Sequence, residues 1–336
     1  MDTSSHICMG VATGLVISKL ATNQNIEVNE ASIVCISLIA NNIPDIDLVF
    51  KLKSSQAYIK NHRGISHSFV LGIIWIILLS IFGYLSTKEN YPLYLIVASV
   101  GVISHIFTDL LNGYGVQFLW PIKKKWIALG ITYTFDAIFL ILHFIAFLCI
   151  IFLKTDIIIT FNIVYGLVIV YIFCSYIYHY QLKKLLIRKY GKYKRLILQA
   201  KSTPINWKYV YETTDKKFYI GIVRYKTIIQ LRYEKRKEEL SNELEQELLK
   251  NHDFKTFIDF TPIFNYVIKH HSNDELDIRF YDLRYLMVRK NTLNYTFNCI
   301  VHIKNNKVET SFLGFTINRD NALKKFKQLK EKDSKS

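Results

Sequence analysis

Three clusters of imidazole and carboxylate side chains stand in the first third of the chain. They read Asn42-Ile-Pro-Asp45-Ile-Asp47, Asn61-His62-Arg63-Gly64-Ile-Ser66-His67-Ser68 and Ser104-His105-Ile-Phe-Thr-Asp109. Carboxylate oxygens and imidazole nitrogens are the usual ligands of Zn²⁺, Mn²⁺ and Fe, and dense groups of them in apolar sequence point to a divalent metal centre. His105 and Asp109 lie four residues apart, so on a helix they share one face and can reach one ion. His62, His67, His105, Asp45 and Asp109 are the expected direct ligands, with His6 and Asp47 next. The imidazole count makes Zn²⁺ the first choice, with Mn²⁺ and Fe also compatible. A carboxylate not used as a ligand, Asp47 or Asp45, would accept the proton of an attacking water. Arg63 suits an anionic substrate group. Asn112, Asp136 and His143 extend the set as groups that would orient a ligand or a water. Asp136 and His143 are seven residues apart on one helical face.

These clusters need elements to hold them. Pro-Asp-Ile-Asp also fits a helix start, since Asp is a favoured N-cap. Gly64 permits a tight turn between the two imidazoles, and Ser66 or Ser68 can cap the helix that follows. Apolar segments at 69–86, 93–111, 137–153 and 157–178 are long enough to be membrane spans. Runs at 7–21 and 31–44 are shorter than a comfortable span of roughly 20 residues. They fit short tilted spans, a re-entrant hairpin or buried helices. The N-terminal Met-Asp-Thr-Ser-Ser-His has no basic n-region and no small-residue cleavage site, so His6 is expected to stay in the mature protein.

The 336 residues are 51% hydrophobic, with mean hydropathy +0.16, and that average covers two unlike halves. The expected architecture is a polytopic α-helical membrane domain (1–180), a basic amphipathic connector (181–203) and a small cytoplasmic α+β domain (204–336). In the last part, alternating runs such as Trp207-Lys-Tyr-Val-Tyr211 read as strands, and residues 234–250 read as a helix with Leu240, Leu244 and Leu248 on one stripe. The formal net charge is +16. Its Lys and Arg residues crowd at 51–63, 123–125 and 183–195, which places those connections and the C-terminal domain on the cytoplasmic side of the plasma or inner membrane. The metal clusters then converge at that same face. The basic charge points to anionic lipid headgroups, and nucleic acid is not expected, because no binding motif accompanies it. None of the five cysteines forms a C-x-x-C pair, which argues against a disulfide framework or a Cys zinc site. The pair His270-His271 stands without other ligand spacing and reads as surface.

In their order, these motifs resemble the LexA-regulated, membrane-bound metal-dependent hydrolase family (the YdjM/YfhP type). The resemblance runs through Asp2…His6, Pro44-Asp45-x-Asp47, Asn61-His62-Arg63-Gly64-x-Ser66-His67-Ser68 and His105-x-x-x-Asp109-x-x-Asn112-x-Tyr114-Gly115. Trp126-Ile-Ala-Leu-Gly, Phe135-Asp136 and His143 continue it. It covers roughly residues 1–145, and the C-terminal strands are similar to the soluble tail of one branch. The family pattern usually has Thr at Ser66, which keeps the hydroxyl, and often Thr at Val116, which does not. The resemblance implies a hydrolase. Ligands at headgroup level suggest an ester or phosphoester of a small or lipid-like molecule. A metal-binding transporter or sensor without turnover is the alternative, although a transporter would place its ligands nearer the bilayer midplane.

Overall fold

The computed structural model describes residues 1–53, 57, 61, 63–272, 274–289, 292–316 and 319–333. The apolar half is helical: α1 (Thr3–Asn23), α2 (Glu30–Ala40), a 3-10 segment (Ile43–Leu52), a 3-10 turn (Ile65–His67), α3 (Phe69–Thr87), α4 (Tyr91–Leu111), α5 (Ala137–Leu153) and α6 (Ile157–Tyr190). The N-cap residues of the six α-helices are Asp2, Asn29, Ser68, Asn90, Asp136 and Asp156, and each side chain accepts a backbone N–H of the first turn. The two candidates for capping after the Arg63-Gly64 turn are thereby separated: Ser68 caps α3, and Ser66 is left for another partner.

Helices α1, α3, α4 and α6 are long and apolar enough to cross a membrane, and α5 is a shorter apolar helix. The first apolar run is thus a full-length helix. The second is broken, since α2 bends by 54° into the Ile43–Leu52 segment. That bend delivers the Pro-Asp-Ile-Asp motif to the end of α4. The large side chains left on the surface of α3, such as Ile73, Ile77 and Ile81, form the kind of apolar face that suits lipid.

Close approach of α1 to α2 depends on Gly10 and Gly14. A methyl group added at Gly14 would fall 2.6 Å from Cα of Val34, and one at Gly10 would fall 2.8 Å from Cα of Leu38. A small-xxx-small spacing is how two helices meet where water gives no driving force. Ile33, Ile36 and Ala40 of α2 pack with Val97, Ala98 and Val102 of α4 and with Leu79 of α3. Met9 and Ala12 of α1 pack with Phe139 and Ala146 of α5 and with Phe161 and Val164 of α6.

The basic connector expected at 181–203 is not a separate element. Helix α6 runs 34 residues, about 51 Å at 1.5 Å per residue, against a hydrocarbon thickness of about 30 Å. Its last turns, with Lys183, Lys184, Arg188 and Lys189, therefore project beyond the bilayer as one continuous helix, which ends at Gly191 with φ 83°. The following residues enter a sheet directly.

That sheet is an antiparallel meander of β1 (Tyr193–Ala200), β2 (Asn206–Thr213), β3 (Lys217–Arg224) and β4 (Thr227–Lys235). The helix expected at 234–250 starts only at Asn242, because residues 227–235 complete β4 and Ser241 supplies the cap. Then come α7 (Asn242–Lys250), α8 (His252–Phe260), β5 (Phe264–His270), β6 (Glu275–Asp282), a 3-10 turn (Leu283–Tyr285), β7 (Leu286–Arg289), β8 (Thr292–Tyr295), β9 (Phe297–Lys304), β10 (Lys307–Phe315) and α9 (Arg319–Asp333). The second sheet has the order β10-β9-β6-β5 and is antiparallel. Leu248, Phe254 and Phe257 of α7 and α8 pack on one face of it, and Ala322 and Phe326 of α9 pack with Ile300 and Phe312.

The soluble half is seated on the helical half. Leu182 and Leu186 of α6 share a core with Leu198 of β1, Trp207 and Tyr209 of β2, and Leu111 and Ile131 at the two ends of the 112–136 loop. Gln199 donates to the Gly113 carbonyl at 2.6 Å, and the Ala200 N–H donates to the Gly130 carbonyl at 2.9 Å. Lys208 of β2 is half-buried and donates to the carbonyls of Arg284 and Leu286; desolvation of its ammonium pushes its pKa down to about 8.

Candidate metal centre

Four side chains from three segments meet at the ends of the helices: Asp45 from the bent 3-10 segment, His67 from the turn before α3, and His105 and Asp109 from α4. His67 Nε2 lies 3.2 Å from His105 Nε2, 3.4 Å from Asp45 Oδ1 and 3.3 Å from Asp109 Oδ2. His105 Nε2 is 3.8 Å from each of those two oxygens. All four ligand atoms lie within 4.8 Å of one another, close enough to share one metal ion. His67, His105 and Asp109 are fully buried, while the Asp45 side chain keeps 11% exposure and marks the open side.

The protonation of both imidazoles follows from their outer neighbours. His105 Nδ1 lies 2.6 Å from the Asn41 carbonyl, which can only accept, so the proton is on Nδ1. Ser66 gives its hydroxyl proton to Asp47 Oδ2 at 2.7 Å, so it accepts from His67 Nδ1 at 2.9 Å. In the neutral imidazoles each Nε2 presents a lone pair to the other at 3.2 Å, beside two carboxylate oxygens, Asp45 Oδ1 and Asp109 Oδ2, that have no hydrogen-bond partner among the described residues. Two imidazole nitrogens and two carboxylate oxygens gathered this closely are a donor set suited to one divalent cation.

The remaining candidates fall around this group. Asp47 is not a fifth member of it. Its Oδ2 accepts the Arg63 N–H at 2.7 Å and the Ser66 hydroxyl, and stands 3.4 Å from His67 Nδ1, on the side of the ring away from the cluster. From there Oδ2 is placed to orient the His67 imidazole. Arg63 puts Nη2 3.0 Å from Asp109 Oδ1 and 2.9 Å from the Met1 carbonyl, so its first anionic partner belongs to the protein. The amino group of Met1 lies against the same Oδ1. It is Arg63, at φ 55°, and not Gly64, that takes the left-handed backbone conformation in this turn. The Asp47–Arg63 hydrogen bond holds that uncommon conformation.

His6 stacks on His105 with ring centroids 3.8 Å apart and places Nε2 3.5 Å from Asp109 Oδ1, making it a neighbouring donor outside the tetrahedral set. Asn112 donates to Asp109 Oδ1 at 3.3 Å and accepts the N–H groups of Tyr114 and Gly115. Asp136 goes elsewhere: it caps α5 and accepts the Tyr171 hydroxyl at 2.7 Å. His143 is packed on Phe139, with Nδ1 2.9 Å from that residue's carbonyl, next to Tyr165. His62 lies outside the described residues. Neither the Asn41 carbonyl nor the loop contacts that pin the turn (Gln117 N–H to the Arg63 carbonyl, Phe69 N–H to the Phe118 carbonyl) leave any mark in residue type, because backbone atoms make them. In the soluble half, His271 and His302 are engaged with Asp277, at 2.7 and 2.8 Å, and His270 is exposed.

No solved structure matches the chain. The "Uncharacterized protein YfhP" of Bacillus subtilis (strain 168) is 27% identical over 330 residues, covering 97% of this chain and 99% of the relative. The model of the YfhP C-terminal alpha/beta plait domain matches residues 243–326, the unit built from α7, α8, the β10-β9-β6-β5 sheet and α9. The YdjM inner membrane protein model matches residues 1–182, which contain every residue of the metal cluster. With more than half of its length matched in this way and its apolar helices as described, the chain is a membrane protein of the YdjM family, of the YfhP type.

Proposed function

We propose that this protein is a membrane-bound metal-dependent hydrolase acting on an ester or phosphoester, of a small or lipid-like molecule, at the cytoplasmic membrane face. The observation that carries the reading is the facing pair of Nε2 atoms, 3.2 Å apart, flanked by two unpartnered carboxylate oxygens. Asp45, His67, His105 and Asp109 would hold the ion, with Zn²⁺ favoured by the imidazole donors. A divalent ion held there supplies Lewis acidity to a water and to a substrate oxygen.

The protein's own groups do the rest. Asn41 and the Asp47–Ser66 pair keep the two imidazoles in the ligating tautomer. Arg63 and Asn112 engage Asp109 Oδ1 and so leave Oδ2 to the cluster. Asp45 marks the solvent-reached side of the cluster, from which a water would enter. Arg63, buried beside Asp109, adds positive charge next to the cluster, which favours an anionic substrate group. Full-length protein stripped of metal and reloaded with Zn²⁺, Mn²⁺ or Fe²⁺ should hydrolyse a generic phosphodiester or ester, and Asp109→Ala should lose both metal and activity. If every loaded preparation holds metal and none hydrolyses any ester or phosphoester, the hydrolase reading fails and metal binding without turnover replaces it.

A further inference from the structure

A cavity of about 920 Å³ opens where the loop after α4 meets the soluble half. Gly113, Tyr114 and Trp126 of the loop form one wall, and residues of β1, α8 and the segment leading into β5 form the other. Tyr114 ties it to the metal cluster, since Asn112 binds both Asp109 and the Tyr114 N–H. Six cationic side chains line it against three carboxylates. Two of the six share one acid, with Lys194 and Arg195 each 3.8 Å from Glu212, and Arg284 is matched by Asp282.

The other three cations have no such partner. Lys124 and Lys125 form no ion pair among the described residues, and both are exposed. Arg236 has its guanidinium carbon 5.0–5.5 Å from the ring centroids of Phe218, Phe264 and Tyr266, donates from Nη2 to the Phe264 carbonyl at 2.8 Å and leaves Nε unpartnered. A guanidinium packed among aromatic rings and two exposed ammonium groups lining the same cavity are a donor set that takes multiply charged oxyanions. The positive charge is focused between two protein walls.

We propose that this interdomain cavity binds a phosphate-bearing ligand, a soluble phosphate compound or a lipid headgroup, with Lys124, Lys125 and Arg236 supplying the counter-charge. Naming that ligand as the hydrolase substrate rests on the function proposed above; the binding itself does not. The test is calorimetric titration of inorganic pyrophosphate into the full chain in nanodiscs of neutral phosphatidylcholine, with metal stripped by chelator. Saturable binding that weakens with added salt is expected. The double variant Lys124→Gln/Lys125→Gln, altered only at exposed positions, should bind about tenfold more weakly or worse. Pyrophosphate should also change the fluorescence of the wild type, and Trp126→Phe should remove that change. Repeating the titration with phosphatidic acid in the disc sorts the two sources. Loss of pyrophosphate binding supports a headgroup as the occupant, and unchanged binding supports a soluble phosphate. Absence of saturable binding to the stripped protein, or equal affinity in the double variant, overturns the proposal. Because the metal is absent throughout, failure here leaves the hydrolase reading standing, and success does not depend on it.

Discussion

Replacing Asp47 by Asn separates a residue that orients a ligand from one that holds the metal. Asp47 Oδ2 accepts two hydrogen bonds, from the Arg63 N–H and the Ser66 hydroxyl, both at 2.7 Å, and lies 3.4 Å behind His67 Nδ1. An Asn side chain has the same shape and can still accept both bonds through its single oxygen, so the turn should persist. What it removes is the negative charge. Two charge-assisted bonds worth about 1.5–3 kcal/mol each become neutral ones of about 0.5–1.5 kcal/mol. His67 also loses the carboxylate that strengthens its Nε2 as a donor. Loss of such an outer partner usually weakens metal affinity by about 10–100-fold, or about 1.4–2.8 kcal/mol. Competitive titration of Zn²⁺ against a chromophoric chelator, on detergent-solubilised full-length protein, measures this directly. Asp47→Asn should fall in that window, Ser66→Ala should move the same way by less, and His105→Ala should abolish tight binding. If Asp47→Asn binds Zn²⁺ as the wild type does, the orienting role is wrong. If it loses metal as completely as His105→Ala, Asp47 is itself a ligand and the geometry has been misread.

Other consequences can be checked separately. Asp136→Ala removes the α5 cap and the partner of Tyr171, so it should cost about 1–3 kcal/mol of stability while leaving Zn²⁺ content unchanged; lost metal would return Asp136 to the site. Single cysteines placed at Lys53, Lys124 and Lys216 in a cysteine-free background should all be labelled from the cytoplasmic side, and opposite labelling at any one would overturn the orientation. Lys208, pushed down to about 8 by burial, makes the folded state bind fewer protons than the unfolded state between about pH 8 and 10.5. Stability should therefore rise with pH across that window, by at most about 3 kcal/mol, relative to Lys208→Met. Parallel thermal melting curves for the two proteins across that window would refute the assignment.

Much of the site was legible in the chain because ligand chemistry belongs to residue types. Imidazoles and carboxylates in apolar sequence need a reason to be there, and the four-residue spacing of His105 and Asp109 is a helical fact that requires no tertiary information. The division into an apolar helical half and an alternating, charged half was equally readable from hydropathy and period. Tertiary structure alone decided the roles within the set. Asp45 and Asp47 are two residues apart and of the same type, yet the bend after α2 turns one toward the cluster and the other behind His67. Asp136 has the right type and an expected place on the same face as His143, but Tyr171, 35 positions away, claims it. The Asn41 carbonyl that sets the His105 tautomer is a backbone atom, which every residue carries and no motif can signal. Over residues 181–203 composition reports only that the stretch is basic and amphipathic, while helix continuation depends on what it packs against. Leu182 and Leu186 find the first sheet there, and the helix runs on until Gly191 turns it. Residue type limits which atoms can do chemistry, and only packing against distant segments determines which way each atom faces.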